Sequence, residues 1–187
     1  MKVFISEYSN NISILFLSVI LLVAVVTDLR AQKIPNILTF PAAALALIYN
    51  TVTNGFSGFL FSVQGLAVGI GLLIIPYLLG GMGAGDAKLM GVVGGVLGAR
   101  SVFYAFLSSA IVGGIYAVIL TLIYRRHFRG FYKTQLVAFI NFLLIRKYIP
   151  EPEEADLKKP RLCYGLAIAL GTGIYIVFNS LKQGLLS

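Results

Sequence analysis

The sequence predicts an all-α, polytopic integral membrane protein with about six transmembrane helices and one interfacial amphipathic helix. Three observations carry that prediction. Of 187 residues, 58% are hydrophobic and only 12% charged, with a mean hydropathy of +0.91. A soluble domain of this size has no polar shell large enough to cover so much apolar surface. The apolar residues fall into six runs, each close to the roughly 20 residues that cross a hydrocarbon core. The basic residues gather in the connections on one side of those runs.

The first run covers about Ile12 to Val26 and ends at Thr27-Asp28-Leu29-Arg30. No small-residue cleavage site follows it, so it reads as a retained span. The second starts after Ile34-Pro35-Asn36 and reaches about Val52. Pro35 suits a first helical turn, where its missing N–H would be unpaired anyway. The third spans about Phe59 to Leu79, and Pro76 is expected to kink its last turns. The fourth is short, opening at Asp86 and fading near Gly98. Its glycines Gly91, Gly94, Gly95 and Gly98 repeat at small-xxx-small spacing, the pattern of close helix packing. The fifth covers about Val102 to Tyr124 and the sixth about Leu162 to Leu181. Between them, Phe131 to Tyr148 has an apolar centre, about Leu136 to Ile145, too short to span. With Lys133, Arg146 and Lys147 beside it, it is expected to lie in the interface. Glu151 to Asp156 is an acidic, solvated linker. The whole of 1–187 reads as one domain, with a cytoplasmic loop at about 125–161.

The net charge of +8 is better explained by the positive-inside rule than by nucleic-acid binding. The connections after runs one, three and five hold twelve of the 15 Lys and Arg; Lys2, Arg100 and Lys182 lie opposite. The first face is therefore assigned to the cytoplasm and the N-terminus to the outside. The single cysteine, Cys163, excludes an internal disulfide and a cysteine-tetrad zinc site, and no metal or other cofactor is expected.

Seven acids are present. Glu7 lies near the outer terminus and four others in the linker, which leaves Asp28 and Asp86 bordering apolar runs on the same face. A carboxylate at that depth is costly and marks function. Two carboxyls at one depth can activate a water, one as base and the other as acid. Each alone has a plainer reading: Asp28 as a helix-end ion pair with Arg30, Asp86 as an N-cap. Asp86 follows Gly80, Gly81, Gly83 and Gly85, a bare backbone that an extended chain can approach closely. A proton- or ion-coupled transporter with both acids as relays, or a scaffold that uses them as caps, are the alternatives. Transporter acids usually sit near the midplane. His127 reads as a solvated loop residue.

Gly83-Ala84-Gly85-Asp86-Ala87-Lys88 resembles the GxGD signature of membrane aspartic proteases, in the GxGDxK form of type IV prepilin peptidases. Asp28, followed six residues later by Ile34-Pro35-Asn36, resembles the same family's other motif, and Lys159 to Ala169 its third block. The resemblance covers about residues 12–181 and is to the short, peptidase-only form, since paired Cys-x-x-Cys motifs cannot be built from one cysteine. It implies that Asp28 and Asp86 are catalytic, with Gly83, Gly85, Lys88, Arg30, Ile34, Pro35 and Asn36 in support. It implies prepilin or pseudopilin signal peptides as substrates, cut at the cytoplasmic face of a prokaryotic inner membrane, with no nucleic acid as partner. The helix ends suggest a division of labour: Asp86 opens its helix and would be the base, whereas Asp28 closes its helix and would be the acid. Lys88 is expected to snorkel to the interface or to hold an acidic group of the substrate.

Overall fold

The computed structural model describes residues 2–79, 81–123 and 163–186. The proposed interfacial helix, the acidic linker, His127 and Gly80 lie outside the described residues. One compact unit comprises Met1–Gly113 with Cys163–Ser187; the C-terminal part of the fourth helix belongs to a second unit, Gly114–Leu162. The described elements are all helical: α1 (Lys2–Ala31), α2 (Asn36–Leu78), α3 (Ala84–Leu97), α4 (Ala99–Ile123) and α5 (Tyr164–Leu186). Four of them, α1, α2, α4 and α5, are long and apolar enough to cross a membrane.

At 43 residues α2 would be about 65 Å long if straight, twice a hydrocarbon core. It is not straight. Gly55 has φ 63° and ψ −145°, a conformation open in practice only to glycine. Beyond it the chain turns back, so that Asn50 Nδ2 donates to Ser62 Oγ at 2.9 Å. Twelve residues of straight helix would hold them about 18 Å apart. The arms 36–54 and 56–78 thus supply the second and third apolar runs. Pro76, expected to kink the third, sits inside helical backbone. The reversal lies at a glycine because it needs positive φ, which proline's ring forbids. Pro35 is the N-cap residue, one position before the helix proper, with φ −72° and ψ 144°.

The buried stripe of the second arm is Gly58, Ser62, Gly65, Gly69 and Leu73, small residues at helical spacing. Gly58 faces Asn50 of the first arm, whereas Ser62, Gly65 and Gly69 meet α3 running antiparallel. A Cβ on Gly65 would strike the Gly94 carbonyl, one on Gly94 the Gly65 carbonyl, and one on Gly69 that of Met90. The backbones are in contact, as the small-xxx-small spacing predicts. Where the two arms and α3 meet, Asn50 Nδ2 and Ser62 Oγ both donate to the Gly95 carbonyl, at 3.2 and 2.7 Å. This satisfies polar groups that would otherwise be costly so deep in the bundle.

Helix α3 is buried almost all round from Asp86 to Val96, so it forms the centre of the bundle. On α1, Leu17, Leu21, Ala24 and Asp28 are buried at spacings of four, three and four. Asp28 is therefore the polar end of an apolar stripe. Gly98, at φ 86°, joins α3 to α4. Helices α4 and α5 run antiparallel: Tyr104 stacks on Tyr175 at 6.2 Å, and a Cβ on Gly171 would strike Ser109.

Candidate active site

The geometry around Asp28 is set by helix ends. Helix α1 closes at Ala31, with the Gln32 N–H donating to the Asp28 carbonyl at 2.8 Å. Gln32 takes φ 50°, the left-handed closing position usually given to glycine or asparagine. The carboxylate of Asp28, 6% exposed, accepts the Gly165 N–H at its Oδ2, 2.9 Å away. Gly165 lies in the first turn of α5. Among the described residues Asp28 makes no ion pair with Arg30, which is exposed. The helix-end pairing is not formed.

Asp86, 8% exposed, sits in the first turn of α3 behind the N-cap Gly83. Its N–H donates to the Gly83 carbonyl at 3.1 Å, and its Oδ2 accepts the Gly83 N–H at 3.0 Å. It does close the helix start, although from the third helical position and not as the N-cap itself. The other oxygen of each carboxylate carries no hydrogen bond among the described residues.

The two acids lie at the same end of the bundle, within electrostatic reach of each other. A short path of contacts joins them. Gly165, which binds Asp28, packs against Ile34; Ile34 packs against Gly85, the residue before Asp86. Ile34 is 8% exposed. The Cys163 thiol is buried beside the Asp28 carbonyl, within electrostatic reach of both acids.

Asp28 also departs from the sequence argument. It closes α1, whose dipole disfavours an anion, yet it accepts an N–H from the start of α5, whose dipole favours one. Each acid thus has one helix N-terminus, and the dipole asymmetry that would make Asp28 the acid and Asp86 the base is largely removed. The Gly165 contact joins residues 137 apart, which no periodicity reveals; its only sequence signal is that Gly165 falls in the third block of the resemblance.

Lys88 makes an exposed polar contact. Its Nζ donates to Asn36 Oδ1 at 2.7 Å and sits 4.9 Å from the Phe40 ring centroid. This links the α3 turn carrying Asp86 to the start of α2.

A family model described as the type IV leader peptidase family matches residues 15–118, more than half of the chain. The matched stretch includes Asp28 and Asp86 and ends within α4. Among curated proteins, one of Bacillus subtilis (strain 168) named prepilin leader peptidase/N-methyltransferase is 35% identical over 114 residues, 58% of this chain and 45% of the relative. One of the same name from Vibrio cholerae serotype O1 is 29% identical over 121 residues, 59% of this chain and 46% of the relative. The chain thus matches rather less than half the length of these relatives. No solved structure matches it.

Proposed function

Because the chain belongs to the type IV leader peptidase family, we propose that it is a membrane-embedded aspartic endopeptidase that removes signal peptides from prepilins or pseudopilins. The observation that carries this reading is the pair of buried carboxyls at one end of the bundle. Each is oriented by a main-chain N–H, and neither is neutralised by a basic side chain among the described residues.

Holding one oxygen of each carboxyl leaves the other for chemistry. One carboxylate removes a proton from water as its oxygen attacks the scissile carbonyl carbon. The other, protonated, donates to the carbonyl oxygen. Collapse of the tetrahedral species breaks the C–N bond as a proton passes to the leaving nitrogen. Since a helix start supports each acid, the roles belong to the pair, which titrates as a unit with two macroscopic pKa values. Activity falls in acid, where both are protonated, and in alkali, where both are ionised. The glycines before Asp86 let an extended substrate backbone lie close by. Six crossings, with the N-terminus outside, put this end of the bundle at the cytoplasmic face.

The test is to incubate the purified protein, reconstituted in lipid, with a prepilin and to follow its mass. Loss of the signal peptide supports the reading. Intact prepilin together with proton flux across the vesicle membrane overturns it in favour of a transporter.

A further inference from the structure

The short link between α1 and α2 reaches both acids. Ile34, buried within it, faces the first turns of two helices at once. A Cβ on Gly85 would lie 2.9 Å from the Ile34 Cβ, and one on Gly165 would lie 3.2 Å from the Ile34 Cδ1. Gly85 precedes Asp86, and Gly165 supplies the N–H that holds Asp28. The link is itself fixed at both ends, by the Gln32 N–H on the Asp28 carbonyl and by the Lys88–Asn36 bond.

Resting on the peptidase reading, we propose that Ile34 is a positioning residue that sets the separation of the Asp28 and Asp86 carboxyls. It acts through the backbone, its Cβ bearing on the turn that carries Asp86 and its Cδ1 on the turn that holds Asp28. A β-branched side chain suits this use because its χ1 is restricted, so the arm that carries Cδ1 keeps one direction from the backbone. Core filling alone would make a different prediction. An apolar residue of equal volume would then be tolerated, and loss of volume would lower stability without touching the chemistry.

The experiment compares purified Ile34→Val, Ile34→Leu and Ile34→Ala with wild type and Asp86→Asn on a prepilin peptide, with thermal unfolding of each. Valine removes Cδ1 and keeps the Cβ contact; leucine keeps the volume and loses the branch. Misplacing catalytic groups by about 1 Å costs up to about a hundredfold in rate. Valine and leucine are therefore expected to lower kcat about three- to tenfold and alanine about thirty- to a hundredfold. KM stays within about twofold, because the substrate contacts are unchanged. The acid limb of the pH–kcat profile moves, since the coupling of the two carboxyls changes with their separation. Valine and leucine carry the test where alanine does not fold. A folded series with wild-type kcat and pH profile, differing only in thermal stability, overturns the proposal. That result with Asp86→Asn inactive removes only the role of Ile34; wild-type cleavage by Asp86→Asn removes Asp86 from the chemistry, and no cleavage by the wild type removes the peptidase reading itself.

Discussion

Gly165 leaves Asp28 little room. A Cβ there would stand 2.9 Å from the oxygen that the Gly165 N–H already holds, and 3.2 Å from the Asp28 Cβ. Gly165→Ala should therefore push the carboxyl out of position, lowering kcat on a prepilin peptide by about ten- to a hundredfold. Lys88 offers a contrast. Lys88→Met loses an exposed hydrogen bond and the contact with the exposed Phe40, so it should lower stability by only about 0.5–1 kcal/mol in a denaturation titration. At this scale Asp28 and Asp86 were legible because no other acids border apolar runs. Their partners were not. The bond from Gly165 depends on where α5 starts in space, and that start also offsets the dipole difference expected from α1 and α3 alone.

The helices show how small residues decide which backbones touch. The turn inside α2 rests on one residue, Gly55, whose surroundings are open but whose φ of 63° and ψ of −145° exclude a side chain without strain. Gly55→Ala should cost about 1–3 kcal/mol from backbone conformation alone. Gly94→Ala adds a Cβ where the Gly65 carbonyl already lies, and should cost about 1–3 kcal/mol through overpacking. Combined with Gly65→Ala its effect should be non-additive, because both changes disturb one contact. Denaturation of the purified variants measures all three. Runs two and three, and the glycine packing of α3, were readable from hydropathy and spacing. The reversal was placed only as a gap between Val52 and Phe59, because a single glycine at positive φ leaves no periodic signal, and Pro76 drew attention as the more visible helix breaker.

For the molecule as a whole, the proposed sidedness rests on the basic residues. In a Cys163→Ser background, a cysteine at position 100 should react with an impermeant thiol reagent on intact cells, and one at position 30 only after permeabilisation. The reverse pattern would invert the topology and put the candidate site on the other face. The helical class and the close packing of the fourth, glycine-rich run were evident in the sequence, because apolar runs and glycine spacing are local properties. How the helices assemble around α3 was not, since it depends on contacts between distant runs. The account stands on two carboxyls working as a pair, and single-aspartate variants test that most directly. Asp28→Asn and Asp86→Asn, each purified and shown to be folded, are assayed for cleavage of a prepilin peptide. Each is expected to lose about a thousandfold or more, down to background. Cleavage near the wild-type rate by either folded variant would contradict the account.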